Sequence, residues 1–213
     1  MFVLAIDTAT PAVTAGLVEL SAQGSRTLAT RLTVNARAHA EVLTPHIVEC
    51  LRETGLAPAD LGAVVVGTGP GPFTGLRVGM ATAAAFADAL GIPVYGLCSL
   101  DAIASQVDDE RELLVVTDAR RREVYWARYR GGTRVGGPAV CKPADLEVGS
   151  AQLIAGSPDH VDFFDVSVQP VESPSPLGLV RPIAALVLSG ATPAPLVPLY
   201  LRRPDAVEPA ARR

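Results

Sequence analysis

The stretch VVVGTGPGPFTGLRVGMATAAAFADALG, residues 64–91, sets six glycines and two prolines around one apparent helix. Glycine-rich turns between a strand and a helix often hold phosphate, because backbone N–H groups converge there. The spacing here excludes both standard forms. A dinucleotide fingerprint needs a glycine three residues after G-x-G; Gly67-Thr68-Gly69 meets Pro72 there, and Gly69-Pro70-Gly71 meets Thr74. A Walker-type loop closes on Gly-Lys-Ser/Thr, and this stretch has no lysine. Pro70 and Pro72 also lack the N–H donors that an anion nest uses.

The other reactive residue types are scattered. His39 and His46 can share a helical face, but seven residues separate them by roughly 10 Å along an axis, too far to hold one ion. A helical zinc pair sits at i and i+4, Glu41 does not repair the spacing, and His160 falls in a polar loop. No metal site is expected. There is no G-x-S-x-G elbow, and no serine or cysteine stands beside a histidine in a known signature. Asp7-Thr8 and the run Arg120, Arg121, Arg122 remain as candidates for anion or metal contact; a structural turn for the first and a solvated basic turn for the second are the stronger readings.

Composition bounds the alternatives. The 213 residues are 49% hydrophobic with a formal net charge of −4, enough to bury a core and not a chain that coats nucleic acid by charge alone. Mean hydropathy is +0.32, which argues against disorder. Cys50, Cys98 and Cys141 are odd in number and widely spaced, which suits reduced thiols in a cytoplasmic protein. The opening MFVLAIDTAT lacks a basic segment and meets Asp7 early, so no signal peptide is expected, nor a membrane span.

The elements that must position these residues read clearly in the first half. Strands are expected over 2–6, 12–20 and 27–34, then a helix over 38–54 stopped by Gly55, with Pro45 as a kink or a second start. A strand over 63–66, a helix capped by Thr74 and stopped by Gly91, and a strand over 93–97 follow. The order β-β-β-α-β-α-β is that of the ribonuclease-H-like lobe of actins, hexokinases and heat-shock ATPases, a likeness of fold alone. A faint repeat, strand 113–117, Asp118 and strand 124–129, predicts a second such lobe. Ser99 is expected to cap a connecting helix over 100–106, and the chain turns irregular after Gly136 with one later helix over 177–188. The expected organisation is α/β, a two-lobed actin-like ATPase fold: a first lobe over 1–106, a short, degenerate second lobe over 107–191, and a partly disordered tail over 192–213.

Two helices of the first lobe carry a distinctive surface. Gly75, Gly79, Ala83 and Ala87 recur every four residues and form a ridge almost without side chains. Internal glycines cost about 1 kcal/mol each against alanine, so a close contact is expected to compensate. That contact is either the chain's own sheet or a helix from another chain. On the preceding helix Leu43, Ile47 and Leu51 form an apolar stripe with the same two readings.

LAIDTAT at 4–10, RAHAEVLTPHI at 37–47, GTGPGPFTGLRVGMATAAAFA at 67–87, DARRREVYWARY at 118–129 and PLYLR at 198–202 together resemble the bacterial TsaB family, also called YeaZ. The resemblance spans nearly the whole chain in order. It implies a non-catalytic paralogue of TsaD in the assembly that makes threonylcarbamoyladenosine on tRNA, with TsaE as ATPase and tRNA reached through the complex. It implies no catalytic residue and no cofactor in this chain, and a partner interface on the paired helices at His39, Leu43, Ile47, Leu51, Gly75, Gly79, Met80, Ala83 and Ala87; with no partner, that apolar face is expected to self-associate. Asp7 and Thr8 become vestiges of a nucleotide contact. TsaD carries a metal-binding H-x-x-x-H, and the corresponding positions here are His39 and Leu43. The alternative is an autonomous kinase or metalloprotease of the same fold.

Overall fold

A computed structural model describes residues 1–35 and 38–202. Arg37, one end of a resemblance segment, and the tail from Pro204 lie outside the described residues. Strands β1 (Phe2–Asp7), β2 (Ala12–Ser21) and β3 (Gly24–Val34) run antiparallel, and β4 (Leu61–Gly67) and β5 (Val94–Leu97) add in parallel. Their spatial order is β3-β2-β1-β4-β5. Helix α1 (His39–Thr54) links β3 to β4, and α2 (Phe73–Leu90) links β4 to β5. Both stop on left-handed glycines, Gly55 at φ 71° and Gly91 at φ 64°, a conformation that side chains resist. Alternation along β1 divides the core. Leu4 and Ile6 face α1 and α2 with Leu43, Ile47 and Ala83, while Val3 and Ala5 face the opposite layer. Helix α1 runs unbroken through the exposed Pro45, because its buried stripe holds the opposite side.

The second half repeats the plan more fully than its sequence suggests. Strands β6 (Leu113–Asp118), β7 (Val124–Arg130) and β8 (Thr133–Cys141) are antiparallel, with β9 (Leu153–Gly156) and β10 (Ser167–Val168) parallel beside β6. The order β10-β9-β6-β7-β8 matches the first sheet position for position. Its helices, not its sheet, are reduced. A 3-10 turn at Pro143–Asp145 stands where α1 would, and the four-residue α4 (Pro158–Val161) where α2 would. The expected irregularity begins after Cys141, not after Gly136: β8 runs on through Gly136-Gly137-Pro138, with shifts of register opposite Arg128.

Two segments cross the expected lobe boundary. Helix α3 (Ser99–Ala104) sends Leu100 and Ile103 into the second sheet's core. The expected helix over 177–188 is two pieces, α5 (Pro176–Val180) and α6 (Ala184–Leu188), separated by a 3-10 turn that contains Pro182. Leu179, Val180 and Val187 cover the free face of the first sheet, not the second. Helix α5 lies so close to β2 that a Cβ on Gly16 would meet Pro176 Cβ at 2.9 Å. After α6 the chain crosses both lobes as a strap. Leu196 packs on the first core, Leu199 N–H donates to Thr68 O at 2.8 Å, and Leu199 and Leu201 pack on the second core.

Candidate functional site

The turn after β1 and the glycine-rich turn after β4 are sewn together. Asp7 is fully buried; its Oδ1 accepts from Ala9 N–H at 2.9 Å and its Oδ2 from the Ser99 hydroxyl at 2.5 Å. Ser99 Oγ also accepts from Gly69 N–H at 3.3 Å, and Ser99 N–H donates to Gly69 O at 2.7 Å. Burial pushes the Asp7 carboxyl up to about 6, while the Ser99 and Ala9 hydrogen bonds and nearby His39 pull it down. Ser99 therefore acts as the carboxylate's partner; the cap position of α3 belongs to Cys98, which corrects the expected cap. Sequence reasoning missed this role because Asp7 lies 92 positions away.

The glycines have the same explanation. A Cβ on Gly67 would strike Asp7 and come within 2.6 Å of Ser99 Oγ, and one on Gly71 would enter the Ala9 backbone. A Cβ on Gly75 would come within 2.5 Å of Thr8 O, and Gly79 faces Thr8 Oγ1, whose hydroxyl donates to Gly75 O at 2.7 Å. Helix α2 begins at Phe73 with Pro72 at the cap, so Thr74 is not the cap residue.

The residues expected at the partner interface face inward in this chain. His39, Leu43, Ile47, Leu51, Gly75, Gly79, Ala83 and Ala87 are all buried within the chain, and Met80 is half-buried. The bare ridge meets Thr8 of its own chain, because β1's turn occupies the space that the missing side chains leave. The outward surface of these helices is instead Thr44, Pro45 and Val48 on α1 and Arg77, Ala81, Ala84, Ala85 and Asp88 on α2.

Between the lobes lies a cleft of about 240 Å³, lined on one side by Thr10, Pro11 and Val34 and on the other by Asp118, Ser157 and Asp159, with Glu172 at its edge. Among the described residues three carboxylates and no arginine or lysine line it, an unfavourable field for polyphosphate. Asp7 and Thr8 are absent from the lining and occupied by the bonds above.

The metal expected of TsaD does not fit these residues. The carbonyl of Thr10 accepts from His39 Nε2–H at 3.1 Å, which commits that nitrogen as a donor, and Leu43 is buried among apolar side chains. Among the described residues no group of three His, Cys, Asp or Glu side chains is placed to hold an ion. No described helix is long and apolar enough to cross a membrane.

At the cleft's rim the β6–β7 turn carries Arg120, Arg121 and Arg122, all exposed and all left-handed, with φ 63°, 52° and 62°. Asp118 holds one end, accepting Arg120 N–H at 3.0 Å and facing Arg120 Nε at 3.7 Å and His160 Nε2 at 3.2 Å. Arg202 of the strap holds the other, donating to Ala119 O and pairing with Glu123 at 3.1 Å.

Comparison with known proteins agrees with this architecture. Residues 33–186 match the family described as TsaD, tRNA N6-adenosine threonylcarbamoyltransferase. An uncharacterized protein of Mycobacterium tuberculosis is 59% identical over 204 residues, covering 96% of this chain and 93% of the relative. The tRNA threonylcarbamoyladenosine biosynthesis protein TsaB of Escherichia coli is 32% identical over 133 residues, covering 61% of this chain and 55% of that protein. The TsaB of Bacillus subtilis is 33% identical over 131 residues, covering 61% and 56%. The alignment thus spans little more than half the length of these TsaB proteins. YeaZ from Pseudomonas aeruginosa superimposes with a TM-score of 0.72 at 27% identity, covering 88% of this chain and 92% of that one. The fold is the two-lobed, actin-like one, and the chain belongs to the TsaD family as a TsaB-like (YeaZ-like) member of it.

Proposed function

We propose that the chain is a non-catalytic scaffold subunit in the formation of threonylcarbamoyladenosine on tRNA. It dimerises with the catalytic subunit TsaD in the cytoplasm, and TsaE and tRNA join that assembly. One observation carries this reading: the cleft of an actin-like ATPase is present, but its first-lobe Asp7 and Thr8 are spent on internal bonds and its lining is acidic. A chain whose reactive groups are internal contributes shape.

The docking face is the outer surface of α1 and α2. Val48 is half exposed, and Ala81, Ala84 and Ala85 form a low outer ridge that allows a partner helix to approach closely. Ala84→Arg and Val48→Asp leave every buried contact intact. Each is expected to abolish co-purification with TsaD from the same genome while the melting temperature holds. Undiminished co-purification by both would overturn the proposal. The same apolar face is expected to drive weak self-association of the isolated chain, seen as concentration-dependent sedimentation. The competing reading, a nucleotide-dependent enzyme, has only the retained Asp7-Thr8 in its favour. Calorimetric titration of the isolated chain with Mg-ATP separates the two: tight binding supports the enzyme.

A further inference from the structure

We infer that the arginine turn of the second lobe, Arg120, Arg121 and Arg122, is a docking point for the phosphodiester backbone of RNA. Its identification with tRNA rests on the function proposed above; the anion chemistry stands on the turn itself.

The turn's backbone is held in an unfavourable conformation from outside. A left-handed backbone costs a non-glycine residue roughly 1–2 kcal/mol, and three in succession persist only where the surroundings impose them. Here they do. Asp118 and His160 fix the entrance, and Ala119 N–H donates to Glu123 O and Glu123 N–H to Arg120 O, each at 3.0 Å. Arg202 clasps both Ala119 and Glu123 from the strap. Glycine would take these angles without strain. Arginine at all three positions is explained by what its side chains do: a turn three residues long presents three exposed guanidinium groups from adjacent positions.

Side-chain chemistry and the acidic cleft together select the ligand. Guanidinium forks match phosphate oxygens bidentately. A free nucleotide would settle in the adjoining cleft, but Asp118, Asp159 and Glu172 line it and none of the three arginines does. An extended polyanion passing the rim meets the arginines and avoids the carboxylates. An acidic protein surface is the poorer match. No large apolar side chain is exposed between Ala119 and Glu123 to serve as the desolvated anchor that carries protein–protein affinity. Phosphate contacts need no such anchor. With a formal net charge of −4, the rest of the chain repels RNA, so binding is expected to be weak and concentrated at this turn.

The test measures fluorescence anisotropy of a labelled, unmodified tRNA transcript against the full chain, alone and co-purified with TsaD, from about 50 to 200 mM KCl. Arg121→Gln/Arg122→Gln is expected to weaken binding about ten-fold at the low-salt end. It should also flatten the plot of log K against log salt by about two contacts, with the yield of the TsaD complex unchanged. The lysine pair, Arg121→Lys/Arg122→Lys, is expected to keep the slope, because it keeps the charge. Inorganic phosphate at matched ionic strength should compete no better than chloride. Unchanged affinity and slope in the glutamine pair would overturn the inference, as would loss of the TsaD complex with RNA binding unaffected. If wild-type chain fails to capture TsaD, the scaffold reading falls, while the measurement on the chain alone still decides this one.

Discussion

Thr8 Oγ1 occupies the position that a side chain on Gly79 would take, while its hydroxyl donates to Gly75 O at 2.7 Å, one helical turn earlier. One short side chain thereby fixes how closely α2 approaches the end of β1. Gly79→Ala is expected to destabilise the fold by about 2–3 kcal/mol through overpacking. Thr8→Ala alone should cost about 1 kcal/mol for the lost bond. The double variant should be less destabilised than the sum by at least 1 kcal/mol, since removing Oγ1 opens the space. Urea denaturation of the four proteins measures this; strict additivity would show that the contact does not set the spacing.

Asp7 gives the fold a pH dependence of defined sign. Its carboxyl sits near 6 against an ordinary 3.8, so the folded chain holds the proton more tightly than the unfolded one. Its contribution to stability is therefore fully present below the ordinary value and is lost as pH rises through about 6, a difference on the order of 3 kcal/mol. Asp109, held down to about 2 by Arg111, works in the opposite sense at lower pH. Asp7→Asn is expected to cancel the Asp7 share. Asparagine still accepts from Ala9 and donates to Ser99, so the difference in melting temperature between variant and parent should grow from pH 4 to pH 7 in the variant's favour. A constant difference would contradict the assignment.

The strap is anchored by aromatic contacts. Phe73 and Tyr200 stack with centroids 5.0 Å apart, Arg77 lies 3.9 Å over the Phe73 ring, and Arg77 Nε–H donates to the Tyr200 hydroxyl at 3.2 Å. Tyr200→Ala is expected to cost about 1–2 kcal/mol. It should also speed amide exchange at Leu199, whose N–H is held by Thr68 O. Protection unchanged at Leu199 would mean that the ring does not secure the segment.

The thiols report on burial. Cys50 and Cys98 are pushed up to about 11 by burial, and Cys141 is half-buried and raised as well. Mass spectrometry after iodoacetamide treatment near pH 8 should find the folded chain modified slowly and at Cys141 alone. All three should react at similar rates in urea.

Much of the first lobe was legible because its signals are local. Alternating β-branched residues mark β1 and β4, and Gly55 and Gly91 stop α1 and α2 where a left-handed cap was expected. Periodicity also placed Gly75, Gly79, Ala83 and Ala87 on one face. It could not say what covers that face, since Thr8 arrives from 67 positions away. The Asp7–Ser99 pair and the turn clasped by Arg202 were hidden for the same reason. In β8 the Gly136-Gly137-Pro138 sequence reads as a loop, and only pairing with β7 across shifted registers makes it a strand.

The layer that seals the first sheet comes from α5 and α6, which are encoded after the whole second lobe. During synthesis the N-terminal half must therefore leave the ribosome with Val3, Ala5, Val18 and Leu20 uncovered. It closes only once residues near Val187 have emerged. A fragment that ends at the lobe junction would bare that greasy underside, and solubility would become its first problem.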